Sequence, residues 1–252
     1  PLSHEDLPEY YPLPYFNPAD AHESDDLADD YLGGSFARLD LSDSNLAQRR
    51  ADAVRLTLPA VAKLSDQEVI DLVLNPAKNK ILASTHGEMT MHQLSQSLNQ
   101  VYLSATVSLS HSADSQLQRH RGWNHTQPFN LAIPRLDQDI VIPLLLRYSQ
   151  EALDYYLKMQ SQNIAVMNKL RRSGVSFDEL TYLQTNGTRI RKRISGPLGA
   201  FYHWIKIRTC LTAQEEIYGL AVEITRQLQN LDATISTHFD KPAPCGVRQK
   251  AG

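Results

Sequence analysis

With 252 residues, 42% of them apolar and 21% charged, the chain carries enough apolar side chain to fold and sits near the upper size for one hydrophobic core, which excludes a disordered protein. A formal net charge of −3 excludes nucleic acid as an electrostatic partner of the whole molecule. The longest apolar run, Ile140 to Leu146, is broken by Pro143 and falls far short of the roughly 20 residues of a membrane span.

Residues 1–11 are acidic and proline-containing where a secretory signal is basic and then apolar, so a cytoplasmic protein is expected. Two cysteines, Cys210 and Cys245, are too few for a disulfide scaffold, and reduced thiols are expected. Residues 1–34, rich in Pro, Asp, Glu and Tyr, read as an N-terminal extension. A domain over 35–238 and a flexible tail over 239–252 follow.

From Ser35 to Leu41, Phe36, Leu39 and Leu41 stand among polar neighbours as in a short strand. The Ser-Asp-Ser-Asn cluster behind it suits the cap of a helix near Leu46. Ser65-Asp66-Gln67-Glu68 is a capping-box pattern, and Val69, Leu72 and Val73 follow at helical spacing until Pro76. Val101, Leu103, Ala105, Val107 and Leu109 alternate with polar residues, the period of a strand with one buried face. Ser112 to Arg121 reads as helical.

Between Ile142 and Arg172, Leu146, Leu153, Tyr156, Ile164, Met167 and Leu170 mark a long core helix, with Tyr155 and Met159 also assigned to packing, and Ser173-Gly174 ends it. Pro197 suits the first turn of another helix whose Phe201, Ile205 and Arg208 share a face. Thr212 to Glu215 offers a second capping box, and Ile217, Leu220, Ala221, Ile224, Leu228 and Leu231 mark an amphipathic final helix. Strands interleave with long helices without a βαβ rhythm, which predicts an α+β fold.

The densest chemical signal is Gln116-Leu117-Gln118-Arg119-His120-Arg121. Two guanidiniums and an imidazole in consecutive positions cannot share one helix face, so they must address different partners. Arginine forks bind phosphates and pyrimidine carbonyls, and an imidazole beside them donates to a nucleotide or flavin edge. His86, His92, His111 and His125 lack metal-ligand spacing, and no paired CxxC exists, so no metal site is expected. Arg189-Ile190-Arg191-Lys192-Arg193 reads as a solvated face or a phosphate clamp rather than a nucleic-acid patch.

Arg119-His120-Arg121 resembles the opening of the RHRxxSxNExSxRY signature of the flavin-dependent thymidylate synthases, with Gln116 where that family also places a glutamine. Downstream, Arg208 followed by Ala213-Gln214-Glu215-Glu216-Ile217 resembles the family's arginine before an Ala-Gln-x-Glu-Ile helix start. Gly87-Glu88-Met89-Thr90 lies near the family's Gly-His-x-Thr turn. The departures are extensive: Asn124, Thr126, Gln127, Phe129 and Leu131 stand at five signature positions, Glu88 replaces the turn histidine, and Gly199 and His203 stand at the downstream arginine and asparagine positions.

The resemblance implies a mixed or antiparallel sheet packed with long helices, and C5-methylation of a uracil nucleotide, UMP or dUMP, with FAD, NADPH and methylenetetrahydrofolate. It makes Arg208 and Arg119 catalytic. Gln116, Arg119, Gln127 and Arg208 would bind substrate, and Thr90, Arg119, His120, Arg121 and His203 would bind cofactor. Phosphate would be held by substitutes such as Arg135, Arg189 or Arg191. A rewritten nucleotide loop beside a retained RHR is similar to the family branch of nucleoside-antibiotic pathways such as that of polyoxin. Ordinary thymidylate synthesis on dUMP is the close alternative, and a non-catalytic FAD- or nucleotide-binding relative the second. The resemblance further implies a homotetramer without nucleic-acid or membrane partners.

Overall fold

The structure, a computed structural model, describes residues 22–40, 45–75, 98–127, 132–210 and 212–231. Thr90, Cys245 and the tail from 239 fall outside them. In chain order the helices are α1 (Glu23–Leu32), α2 (Leu46–Thr57), α3 (Asp66–Val69), α4 (His111–Leu117), α5 (Gln150–Arg172), α6 (Phe177–Leu180), α7 (Leu198–Arg208) and α8 (Glu215–Leu231). The strands are β1 (Ala37–Asp40), β2 (Tyr102–Ser110), β3 (Asn124–Thr126) and β4 (Arg189–Pro197). Helices with a small sheet make the fold α+β, as the sequence predicts. Two compact units divide the chain: Pro1–Gly33 with Pro128–Arg189, and Gly34–Gln127 with Ile190–Gly252.

The larger unit is built on a four-stranded sheet of order β1-β2-β4-β3. β1 runs antiparallel to β2 with Ala37 opposite Val107, and β3 antiparallel to β4 with Asn124 opposite Ser195. Its core joins Leu39, Val54, Val107, Leu109, Ile194, Trp204 and the inner stripe of α8. All five of Ile217, Leu220, Ala221, Ile224 and Leu228 are buried, as their spacing predicts, and Leu231 is partly so. From the same helix Gln227 donates to the Ala37 carbonyl and accepts from the Leu39 N–H, which satisfies exposed-edge groups of β1.

Local signals held in several places. Asn45 caps α2 by accepting from the Gln48 N–H, and Ser65 and Glu68 form the reciprocal capping box of α3. Elsewhere tertiary packing changed the outcome. After Val69 the chain turns into a π-helix over Ile70–Leu74, whose wider turn rotates the apolar register and leaves Leu72 59% exposed. β2 is buried on both faces from Ala105 onward, because its polar members find partners: Ser108 N–H donates to Phe36, and Ser110 donates through both N–H and hydroxyl to Glu216. The start of α8 is capped by Gln214, which accepts from the Ile217 N–H, in place of the predicted Thr212 box. Cys210, expected as a reduced thiol, is disulfide-bonded.

In the smaller unit, α5 begins at the Ser149 cap and ends at Gly174, whose φ of 92° only glycine adopts without strain. Its reading as a core helix needs correction. Among its residues only Gln160 and Met167 are buried, while Tyr155 is 66% and Met159 45% exposed. Tyr156 does turn inward, donating its hydroxyl to the Val141 carbonyl.

Candidate functional site

The signature segment is not helical to Arg121. Helix α4 starts at the Ser110 cap and stops at Leu117, after which Gln118 N–H donates to the Asp114 carbonyl and His120 N–H to the Leu117 carbonyl. These two bonds close a turn, so Arg119, His120 and Arg121 leave the helix on its C-terminal side. That release lets three consecutive bases point apart, as their chemistry demands.

Two further features hold the turn. Trp123 is buried, with ring centroids 4.9 Å from Phe201 and 5.0 Å from Trp204 on α7, and 6.1 Å from His120. Gly196 on β4 allows the approach. A Cβ there would come within 2.7 Å of Trp123 Cδ1 and 3.0 Å of the Gly122 carbonyl oxygen. Because Trp123 is confined by Phe201 and Trp204, Gly196→Ala is expected to cost about 1–3 kcal/mol by overpacking, read as a lower urea midpoint with an unchanged slope.

Beneath the turn lies an ion pair that sequence reasoning missed. Lys192 Nζ donates to Asp114 Oδ1 at 2.6 Å, with side-chain exposures of 1% and 3%, and Gln118 Nε2 donates to Asp114 Oδ2 at 2.6 Å. The basic run around it is therefore β4: Arg191 and Lys192 are buried, and neither lies on a solvated face. Within the smaller unit Arg135 is held by Asp139 at 2.9 Å and Asp26 at 2.8 Å, so its charge is already matched.

The two motifs that the sequence singled out meet. Arg208, the last residue of α7, donates from Nε to His120 Nε2 at 3.1 Å, across 88 positions of sequence. Burial pushes the Arg208 guanidinium pKa down, and the neighbouring Arg119 cation pushes it further. Burial likewise lowers the His120 pKa to about 4, with Arg208, His203 and His125 adding to the effect. Every charged neighbour acting on His120 is thus a base, and the locus is one that attracts acceptors and anions.

Of the predicted site residues, Arg119, His120, His203 and Arg208 gather here. Gln116 is half-buried on α4, whereas Arg121 and Gln127 are exposed. None of these three shares a hydrogen bond with the Arg208–His120 pair among the described residues. Thr90 lies outside the described residues. His203 Nδ1 is buried without a hydrogen-bond partner, as are the indole N–H groups of Trp123 and Trp204. No group of three or more His, Cys, Asp or Glu suited to a metal occurs among the described residues, nor does any helix long and apolar enough to cross a membrane.

Residues 43–232 match the family described as thymidylate synthase complementing protein. A flavin-dependent thymidylate synthase from Mycobacteroides abscessus is 26% identical over 147 residues, which cover 52% of this chain and 59% of that protein. The match thus spans less than two thirds of that relative's length. Among solved structures, the UMP/dUMP methylase PolB from Streptomyces cacaoi, bound with 5-Br UMP, is similar with a TM-score of 0.58 at 15% identity, covering 82% of this chain and 97% of that one. Thymidylate Synthase X from Helicobacter pylori, with FAD and dUMP, is similar with a TM-score of 0.53 at 15% identity, covering 77% and 95%. At such identities these two likenesses speak for the shared α+β fold.

Proposed function

The chain belongs to the thymidylate synthase complementing protein family, the flavin-dependent thymidylate synthases, and from that premise we propose that it methylates C5 of a uracil nucleotide. The observation that carries this reading is the Arg208–His120 contact with Arg119 beside it, a cluster of donors without a carboxylate among the groups that shift them. The two carbonyl oxygens of a uracil edge are matching acceptors.

The donors present also fit a flavin nucleotide. Arg119 is exposed, His203 Nδ1 is buried and unpartnered, and Arg208 keeps its terminal nitrogens beyond the one bond to His120. When bound, reduced FAD supplies the hydride, methylenetetrahydrofolate the one-carbon unit, and NADPH the reducing equivalents. Arg208 would face the pyrimidine carbonyls and stabilise the negative charge that gathers on them as C5 becomes nucleophilic. Such preorganised donors act where water is displaced, which strengthens them. Arg119 would lie between nucleotide and flavin and donate to both. Gln116 and Gln127 would orient the nucleotide, and His120, His203, Arg121 and Thr90 would hold the cofactor.

The rewritten loop from Asn124 to Leu131 supports a shifted substrate preference. UMP is therefore the first substrate proposed, within nucleoside antibiotic biosynthesis, and dUMP the alternative. A cytoplasmic homotetramer completes the proposal. Mass-spectrometric assay of UMP, dUMP and CMP in parallel, with FAD, NADPH and methylenetetrahydrofolate, is expected to show a 14-Da gain on UMP, the mass a methyl adds in place of hydrogen on carbon. Consumption of folate without a methylated nucleotide would sink the assignment. A colourless protein that FAD does not stabilise thermally would favour the non-catalytic relative.

A further inference from the structure

An arginine at the end of a helix is a poor pointing device unless something fixes it. Its long side chain has many rotamers to lose, and the planar guanidinium can present any of several edges. At Arg208 one edge is already committed: Nε donates to His120 Nε2 at 3.1 Å. The acceptor is itself pinned. His120 N–H closes the turn onto Leu117, and its ring lies 6.1 Å from the buried Trp123 indole.

We infer that His120 is a positioning residue for Arg208, its imidazole in the Nδ1–H form accepting from Nε and so fixing the guanidinium plane with both Nη groups left for the pyrimidine. This rests on the function proposed above. The tautomer follows from the bond: a ring nitrogen that accepts carries no proton, so the proton resides on Nδ1. Protonation of Nε2 would set two cationic donors against each other at the same distance, and the bond would be lost.

The surroundings keep that from happening near neutrality. Arg208 and His203 face His120 from α7, His125 from β3, and Arg119 adjoins it in the turn; His125 in turn faces Lys192 of β4 and Asp114 of α4. Burial first, and then Arg208, His203 and His125, hold the imidazole unprotonated down to a pH of about 4. The sign is that of a depressed base: the contact is complete above the ordinary imidazole value of 6.5, persists through the window where a free histidine charges, and fails only as pH falls through about 4.

The test begins on the protein without nucleotide or cofactor. Nitrogen-15 NMR of the histidine rings is expected to show His120 as the Nδ1–H tautomer, untitrated at pH 5.5, and in Arg208→Ala its titration moves up toward that of a free imidazole. A His120 that titrates ordinarily and ignores Arg208→Ala overturns the inference. Two substitutions then separate positioning from packing. His120→Gln offers an amide oxygen near the place of Nε2, whereas His120→Phe keeps the ring and removes the acceptor.

His120→Phe is expected to lose about a hundredfold in kcat, the scale of a misplaced oxyanion donor, and His120→Gln to restore most of it while abolishing the acid limb near pH 4. FAD retention should be equal in both. Equal losses in the two variants, with FAD released from both, would make His120 a flavin ligand alone, with no hold on Arg208, and overturn the inference. Should the NMR results hold while no nucleotide is methylated, the substrate assignment fails and the positioning role stands.

Discussion

Arg208→Ala should lower kcat for methyl transfer by about 10²–10³-fold, equivalent to roughly 3–4 kcal/mol of lost transition-state stabilisation, as removal of one preorganised charge-stabilising donor does elsewhere. The helix that carries it is expected to survive. Leu198, Phe201, Trp204 and Ile205 bury α7 without help from Arg208, which is its last residue. Circular dichroism and the thermal midpoint should therefore change little while the rate collapses.

Arg208→Lys should rescue little of that loss. A lysine ammonium cannot bond His120 and also present a flat two-pronged edge to a pyrimidine. Pre-steady-state measurement at saturating nucleotide distinguishes the cases, because a purely substrate-binding arginine would raise KM and spare kcat. Restoration of full kcat in the lysine variant at high nucleotide would remove Arg208 from the chemical step.

How far the sequence led can be judged at particular residues. The stripe from Ile217 to Leu228 and the caps at Asn45 and Ser65 were legible because each is local: the periodicity or the hydrogen bond lies within a few residues. Arg119 stood out in its cluster of bases, but its pairing with Arg208 came only from family resemblance, since nothing in composition or spacing brings together positions 88 or more apart. The helix of Tyr155 and Met159 shows the opposite failure. Apolar spacing there establishes that a stripe exists, but only tertiary structure decides whether it is covered.

Arg189 to Lys192 failed for a different reason. In a run of bases burial leaves no mark on the pattern, because buried Arg191 and Lys192 carry the same sign as exposed Arg193. Lys192 is interior only because Asp114, 78 residues away, supplies its counter-charge. The i, i+4 spacing of Asp114 and Gln118 was the one available signal. It placed the two side chains on one face of the helix but could not name the lysine.

That pair sets the second large expectation. Asp114→Ala should destabilise the fold by about 3–5 kcal/mol, the usual cost of breaking a buried ion pair by removing one partner, since the ammonium of Lys192 is then left charged in the interior. The loss is mostly the stranded charge and not the worth of the bond. Accordingly the double substitution Asp114→Ala with Lys192→Met should be more stable than Asp114→Ala alone, a coupling that a double-mutant cycle in urea measures directly. Additive losses would mean that the two groups do not depend on each other. The effect reaches the site as well. Gln118 bonds the same carboxylate at 2.6 Å from the turn that carries Arg119 and His120, so the double variant, though folded, should bind nucleotide more weakly than the parent. Unchanged nucleotide affinity in a folded double variant would show that the turn is held by Trp123 and its neighbours without the pair beneath it.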